Sequence, residues 1–338
     1  MANSYIVLGN GFSMDLVKKM NKENQIDLRN LFTKGEYVLY PKAMKKGFLS
    51  RKHTPNLWIL GARSYIEDEK ALQLVTDVIT CANVFNLSME TKMGEQKENT
   101  SVYINAYSEL SSYLRYLFVY YNSLVNDDDL KNILDSIEII NYIKDNMKTN
   151  KIYIITYNYD IFLERLLELS KIDYDIFGFT NNGANVVIFK PHGSISFSFK
   201  IKVPESSPYN IRNVLVDAVT QNANNFEIIY DLKDDFPIVN AIIPPAGDST
   251  RFSFAWIKEI RKGIDDIIKK STSKDEMILF GLSYWHVDRN EIDEILLSMD
   301  ASMEVKYVDP NPPTSLDAVL SSLFKNYIHY SSGNLLKE

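Results

Sequence analysis

The sequence predicts an α/β protein with a Rossmann-like, doubly wound parallel sheet and a large helical insertion. Short apolar runs of strand length lack the alternation of half-solvated strands, so both of their faces are expected to be buried. A polar or glycine-rich turn and then a helical pattern follow most of these runs, and this alternation of strand and helix is typical of a parallel sheet. Between the first and the second strand lies a long stretch, about 62–150, with apolar residues at helical spacing. We therefore expect one domain over residues 1–338, interrupted by this insertion.

The first strand is predicted at residues 4–8 (SYIVL), and the turn GNGFS (9–13) leads from it into a helix. In nucleotide-binding folds, such a turn brings backbone N–H groups and a helix N-terminus up to a phosphate. Its glycines permit positive φ angles and close backbone approach, while Ser13 is able to cap the helix or contact a ribose or phosphate. The dinucleotide fingerprint has a third glycine where this chain has Met14. A simple tight turn is the alternative.

A basic cluster lies in the loop-rich stretch before the helical insertion. Such a cluster is usually a solvated face, and the alternative is a surface that guides an anionic ligand or contacts a partner protein. Its members are Lys42, Lys45, Lys46, Arg51, Lys52 and His53.

The central strand is predicted at residues 152–155, and it ends in TYNYD (156–160) before an apolar helical pattern. In an open parallel sheet, ligands bind at the carboxyl ends of the strands. Asn158 and Asp160 are therefore well placed for chemistry. The alternative is that one of them caps the following helix.

A further strand, 185–190, leads into PHGS, where His192 is one of only four histidines in the chain. A core or capping histidine is the alternative to a functional one. The alternating run SISFSF (194–199) then predicts a half-exposed strand. An irregular insertion at about 204–240 is interpreted as a lid or a partner-binding segment.

Two more buried strands are expected near the end of the chain. Residues 277–280 end at the turn GLS, and residues 303–308, expected to be the last strand, end at Asp309. The strong signals thus all lie at carboxyl ends of predicted strands, which favours one shared site.

The composition excludes several classes of function. A net charge of −7 and a pI near 5.3 argue against a protein whose whole surface binds nucleic acid. The single cysteine, Cys81, excludes disulfides and cysteine-based zinc sites within one chain. No apolar run approaches the ~18 residues of a membrane span, and the N-terminus does not resemble a signal peptide. We expect a soluble, cytoplasmic protein without direct membrane or nucleic-acid binding.

The turn motifs resemble those of sirtuins in order and approximate spacing. GNGFS is similar to the sirtuin GAGxS loop, TYNYD to TQNID, KPHGS to the segment with the catalytic histidine, and GLS to the later GTS. TYNYD and KPHGS are closer to the sirtuin-like domains of bacterial antiphage defence proteins than to protein deacylases. The resemblance covers about residues 4–20 and 150–312. Asn10 departs from it, since the sirtuin loop has alanine there.

The resemblance implies a role for each matched residue. Asn158 would contact the nicotinamide ribose of NAD⁺ and order the attacking water, and His192 would be the general base on a ribose hydroxyl. Asp160 would face the nicotinamide carboxamide. The further residues expected to bind NAD⁺ are Gly9, Asn10, Gly11, Phe12, Ser13, Thr156, Gly281, Ser283 and Asp309. No metal is implied.

The expected activity is therefore an NAD⁺ glycohydrolase that depletes NAD⁺ as the toxic effector of an abortive-infection system. Such an activity must be restrained in healthy cells, so we expect a homo-oligomer or a separate sensor or activator protein. A catalytically silent scaffold that binds NAD⁺ or ADP-ribose is the alternative. A protein deacylase or ADP-ribosyltransferase is disfavoured because the paired CxxC motifs of the zinc module are absent from the sequence.

Overall fold

The structure is a computed structural model that describes residues 2–43, 45–91, 102–212, 220–244, 254–284, 289–333 and 336. The chain forms two compact units. The sheet unit comprises Met1–Lys22, Val125–Pro191 and Trp256–Glu338, and the insertion unit comprises Glu23–Leu124 and His192–Ala255. The insertion unit is thus made of two segments that interrupt the sheet unit, one after the first helix and one after residue 191. The predicted helical stretch, 62–150, contributes to both units.

The sheet unit contains a seven-stranded sheet in which all neighbouring strands are parallel. Its central strands are almost entirely buried, as their unbroken apolar runs predict. The predicted α/β class with a Rossmann-like sheet is confirmed. In spatial order the strands are β12 (Asn326–Tyr330), β11 (Glu304–Val308), β10 (Glu276–Phe280), β1 (Asn3–Leu8), β4 (Lys151–Thr156), β6 (Val186–Phe189) and β5 (Tyr174–Ile176).

The strand order contains a topological switch point beside β1. From β1 the chain continues to β4 on one side and later returns to place β10 on the other side. Loops that leave two such strands diverge, so a crevice forms at their carboxyl ends. The turns after β1 and β10 therefore occupy the position where open α/β sheets bind ligands.

The helices of the sheet unit follow its strands along the chain. The sheet unit's helices are α1 (Asn10–Lys19), α5 (Asp127–Ile133), α6 (Glu138–Asn146), α7 (Phe162–Leu169), α8 (Ala255–Ile268), α9 (Arg289–Ser298) and α10 (Thr314–Leu323).

Within the described ranges, none of the protein's helices combines the length and the apolar character that crossing a membrane requires.

The insertion unit has a helical and a β part. Helix α4 is the central element, because it contacts α2, α3, β7 and β9. Strand β7 lies between β8 and β9 in a three-stranded antiparallel sheet. The elements are β2 (Leu39–Tyr40), β3 (Lys45–Lys46), α2 (Pro55–Ile59), α3 (Asp68–Thr91), α4 (Val102–Ser123), β7 (Gly193–Phe199), β8 (Phe226–Ile228) and β9 (Asn240–Ile242).

Two expectations about strands are wrong. The run SISFSF is not half-exposed, since every residue of β7 is buried; its serine face lies inside the insertion unit, where Ser198 donates a hydrogen bond to Asp235. Residues 303–308 are not the last strand, because β12 follows at the edge of the parallel sheet. An edge strand is partly solvated, so NYIHY shows no apolar run. Residues 213–219 of the irregular insertion lie outside the described residues.

Candidate ligand-binding site at the carboxyl edge of the parallel sheet

The glycines at the switch point allow two turns to touch. A Cβ atom at Gly9 would lie 2.5 Å from the carbonyl oxygen of Gly281, and one at Gly11 would lie 2.6 Å from the Cα atom of Gly281. Gly281 has a φ of +61°, which a side chain rarely tolerates. Neither Gly9 nor Gly11 is among the residues with positive φ. These glycines are therefore needed for close backbone approach between the turns after β1 and β10.

The backbone amides of the first turn are already bonded. Gly9 N donates to Phe280 O at 3.0 Å, Gly11 N donates to Gly281 O at 3.0 Å, and Phe12 N donates to Gly9 O at 3.1 Å. A phosphate at the N-terminus of α1 would need free N–H groups. These three N–H groups are therefore not free for a ligand, as those of a phosphate-binding loop are. The expected role of Gly9 and Gly11 in binding NAD⁺ stays a prediction.

Asn158 joins the central strand to this turn. Its side-chain amide group Nδ2 donates to Gly9 O and to Ser13 Oγ, each at 3.0 Å. Because the carbonyl oxygen of Gly9 only accepts, the side-chain NH₂ must face it, and this fixes the orientation of the amide. No described residue donates a hydrogen bond to Asn158 Oδ1. Asn158 therefore keeps one acceptor for a ligand hydroxyl or a water molecule.

Ser13 and Asp160 continue the chain of hydrogen bonds. Ser13 Oγ donates to Asp160 Oδ2 at 2.7 Å, and Asp160 Oδ1 accepts from Phe162 N, in the first turn of α7, at 3.0 Å. Ser13 is fully buried and Asp160 nearly so. Residue Ile161 is at the N-cap of α7 and makes no side-chain capping bond, while the carboxylate of Asp160 has both oxygens engaged. We call the residues Ser13, Asn158 and Asp160 the edge network.

A buried ion pair that none of the sequence motifs predicted lies beside the edge network. Lys190 Nζ donates to Glu164 Oε1 at 2.6 Å and to the backbone carbonyl oxygen of Asp160 at 2.7 Å. Both side chains are 1% exposed. Burial raises the pKa of the Glu164 carboxyl, and the ammonium of Lys190 opposes that effect. A lysine that ends an apolar strand was the only signal in the sequence.

The remaining expected residues of the sheet unit have different surroundings. Phe12 is buried and packs edge-on against Phe280, with ring centroids 5.8 Å apart, so its side chain belongs to the core. Asn10 is exposed at the start of α1. Thr156 Oγ1 accepts from Asn158 N at 3.2 Å and shapes the turn after β4.

The turns after β10 and β11 lie at the same edge of the sheet. Ser283 is exposed. Asp309 Oδ1 accepts from Asn311 N at 2.8 Å. The hydroxyl of Tyr307 donates to the backbone oxygen of Leu282 at 3.1 Å and so ties the two turns together. The structure thus brings Gly281 against Gly9 and Gly11, with Ser283 and Asp309 on the neighbouring strand ends.

His192 belongs to the insertion unit, so the boundary between the units divides the KPHGS motif after Pro191. The His192 side chain is 1% exposed, and its backbone carbonyl accepts from Ile243 N at 3.0 Å. Gly193 follows with a φ of +85°, a conformation that favours glycine. That Asn158 and His192 serve one reaction stays a prediction.

The basic cluster contains two members with structural roles. Lys42 Nζ donates to the backbone carbonyls of Glu205 and Ser207 at 3.0 and 2.8 Å. His53 stacks on Tyr40 with ring centroids 3.9 Å apart. The remaining members are exposed, as a solvated face requires: Lys45, Lys46, Arg51 and Lys52.

The edge network offers a ligand one oriented hydrogen-bond acceptor, Asn158 Oδ1, at the switch point of the parallel sheet. Among the described side chains, no group of three or more His, Cys, Asp or Glu is arranged to hold a metal ion. Comparison of the sequence with protein-family models and with curated proteins finds no match in either.

Proposed function

We propose that the protein is an NAD⁺ glycohydrolase that cleaves NAD⁺ to nicotinamide and ADP-ribose. The observation that carries the proposal is Asn158, whose amide is fixed by Gly9 and Ser13 while Oδ1 accepts no hydrogen bond from the described residues. An oriented acceptor at a topological switch point suits a nucleotide ribose or the water that attacks it. The sirtuin-like order of TYNYD and KPHGS supports the choice of NAD⁺.

The reaction needs few charged groups. The bond between the nicotinamide nitrogen and C1′ of the ribose breaks, and both of its electrons go to the nitrogen, so nicotinamide leaves as a neutral molecule. A water oxygen bonds to C1′, and its proton passes to a base. Asn158 Oδ1 would accept a hydrogen bond from that water and hold it in line with C1′.

His192 is proposed as the base: it takes the proton of a ribose hydroxyl, and that ribose oxygen then takes the proton of the attacking water, so that one proton in all reaches His192. A neutral imidazole has one ring nitrogen that accepts a proton, and positioned acid–base catalysis contributes ~10²–10⁴-fold. Asp160 is proposed to face the nicotinamide carboxamide, at the cost of exchanging one of its present hydrogen bonds.

The biological role that follows is depletion of NAD⁺ during phage infection, with cytoplasmic NAD⁺ as the substrate. Control by self-association or by a separate sensor protein belongs to this proposal. We propose no zinc and no direct contact with nucleic acid or membrane.

A silent scaffold that binds NAD⁺ or ADP-ribose is the second candidate, and one observation favours it. The amides of Gly9 and Gly11 and both oxygens of Asp160 are engaged within the protein. A network that satisfies itself stabilises the fold without a ligand. The scaffold would bind NAD⁺ and leave it intact.

The test is NAD⁺ consumption by the purified full chain and by Asn158→Ala and His192→Ala. Matched controls are Asn185→Ala, an exposed asparagine of the sheet unit, and His53→Ala, a partly exposed histidine of the insertion unit. We expect turnover in the parent and both controls, and a loss of ~10²-fold or more in the two site variants. Thermal unfolding of each variant checks that the loss is not a loss of fold.

The outcomes separate the candidates. Turnover that survives His192→Ala contradicts the assignment of the base. Binding of NAD⁺ in calorimetry without turnover, in the presence and absence of lysate from infected cells, identifies the scaffold. Release of nicotinamide that requires an acylated peptide identifies a deacylase.

A further inference from the structure

The buried ion pair of Glu164 and Lys190 has two features beyond its charge contact: a hydrogen bond to the backbone and one carboxylate oxygen without a partner among the described residues. Lys190 divides its hydrogen bonds between a carboxylate and the backbone carbonyl of Asp160, at 2.6 and 2.7 Å. The second oxygen of Glu164, Oε2, is buried and has no hydrogen-bond partner among the described residues. A buried pair contributes little net stability unless all of its polar atoms are satisfied. This pair is therefore poorly explained as a stabilising element alone.

Its position connects it to the edge network. Asp160 is the residue whose side chain accepts from Ser13 and from Phe162 N, and Lys190 holds the carbonyl of the same residue. Asn158 is two residues earlier in the same turn, and Lys190 is the last residue before Pro191. The ammonium thus fixes the turn after β4 to the end of β6, the neighbouring strand.

We propose that Glu164 and Lys190 are positioning residues, which hold the turn of Asn158 and Asp160 in the orientation that the reaction uses. Glu164 fixes the direction of the lysine side chain, and the lysine fixes the Asp160 peptide. This inference rests on the proposed function for its kinetic readout, and a second readout is independent of NAD⁺.

The experiment compares the full chain with the double variant Glu164→Gln/Lys190→Met. Removing both partners leaves no isolated charge in the interior, so the variant is expected to fold. Its control is Glu276→Gln/Lys306→Met, which removes another pair in the same sheet, joined at 3.1 Å. Glu276 begins β10, at the opposite, amino edge of the strands.

Two quantities are measured for each protein: kcat and KM for NAD⁺, and hydrogen exchange at the amide of Phe162, which reports the position of Asp160. We expect kcat to fall by about a hundredfold in the double variant, with little change in KM, because small misplacements near reacting atoms have this effect. Exchange at Phe162 is expected to rise about tenfold, as for the loss of one hydrogen bond. The control pair should change neither quantity.

A folded double variant with parental kcat and parental exchange at Phe162 overturns the proposal, and so does an equal loss in the control. If the double variant does not fold, Glu164→Asp decides. This variant keeps both charges, but its shorter side chain draws the Lys190 ammonium away from the Asp160 carbonyl by the length of one methylene group. An unchanged kcat and unchanged hydrogen exchange at Phe162 would contradict the positioning role. If the parent consumes no NAD⁺, the proposed function fails, and exchange at Phe162 alone then decides the role of the pair.

Discussion

The two units contain buried polar clusters of different design. In the sheet unit, the edge network joins the ends of neighbouring strands and leaves Asn158 Oδ1 without a donor among the described residues. In the insertion unit, Arg115 of α4 donates to Asp235 Oδ2 at 2.6 Å and to the carbonyl of Phe197 in β7 at 3.2 Å. The edge network lies at the carboxyl ends of the strands of the parallel sheet. The cluster around Asp235 lies between helix α4 and the antiparallel sheet of the insertion unit.

The comparison separates a polar cluster that holds a fold from one that is also placed for a ligand. Asp235 accepts from Arg115, Ser198 and Lys202, so the cluster in the insertion unit concentrates three donors on one carboxylate. The edge network distributes its bonds over three side chains and a backbone carbonyl. Loss of one of these bonds therefore takes from a buried group the partner that it has, and it should weaken ligand binding as well as stability.

The largest predicted effect is the loss of the arginine from the insertion unit. Arg115→Met leaves the buried carboxylate of Asp235 with only serine and lysine donors, so we expect the free energy of unfolding to fall by about 3–5 kcal/mol. Chemical unfolding measures the change. Glu67→Gln, which breaks the exposed pair with Lys70, is the control and should leave stability unchanged. A cost for Arg115→Met below about 1 kcal/mol, the range of exposed pairs, would show that the cluster does not hold the unit together.

Glycine substitutions test the backbone contact beneath the edge network. Gly281→Ala places a Cβ atom 2.6 Å from the Cα atom of Gly11 at a φ of +61°. We expect a loss of about 3 kcal/mol, since left-handed strain adds to overpacking. Gly183→Ala is the matched control: its φ is +80°, but nothing lies within 4 Å of the added atom. It should cost only about 1 kcal/mol. Equal losses in the two variants would mean that the turns separate easily.

These contrasts also explain what the sequence could predict. The buried strands β1, β4, β10 and β11 have apolar runs that only a sheet covered on both faces requires, so the fold class followed from the sequence. Strand β12 was missed because an edge strand needs no such run. The serines of β7 were misread as solvent-facing, since alternation cannot distinguish water from a buried polar partner.

The candidate site was predictable in part for a related reason. Motifs at strand ends identified Asn158, Asp160 and the glycines, because the carboxyl edge of a parallel sheet is a general binding position. The pair of Glu164 and Lys190 depends on β6 lying beside β4, and strand order is not readable from local pattern. The division of KPHGS between two units likewise depends on tertiary structure.

Removal of a serine hydroxyl compares the two clusters directly. Ser13→Ala removes the hydroxyl that donates to Asp160 Oδ2 and accepts from Asn158 Nδ2. We expect a loss of about 2 kcal/mol, because a buried carboxylate oxygen is left unsatisfied. Ser198→Ala leaves Asp235 with Arg115 and Lys202, so its cost should be about 1 kcal/mol or less. Urea unfolding of both variants gives the order, and a larger loss for Ser198→Ala would reverse our view of which cluster distributes its bonds.

The smallest predicted effect is a difference in pH dependence between two buried carboxylates. In the insertion unit, Glu109 accepts from Asn56 N and Leu57 N at 3.1 and 2.8 Å, but burial raises the pKa of its carboxyl above the ordinary value of 4.5. In the sheet unit, burial also acts on Asp175, but hydrogen bonds from backbone N–H groups outweigh it and lower the pKa below 3.8. Asp175 lies in edge strand β5 next to exposed residues 181–183, whereas Glu109 lies within the buried part of α4.

The two shifts give opposite signs. A raised pKa in the folded state stabilises the protein below the ordinary pKa, and this contribution is lost as the pH rises through the folded value. A lowered pKa stabilises above the ordinary pKa, and this contribution is lost as the pH falls through the folded value. The stability of the parent relative to Glu109→Gln should therefore decrease from pH 4 upward, about where glutamate titrates, while that relative to Asp175→Asn should decrease from about pH 4 downward. Thermal unfolding over this range measures both differences, and two curves of the same sign would show that burial affects the two carboxylates alike.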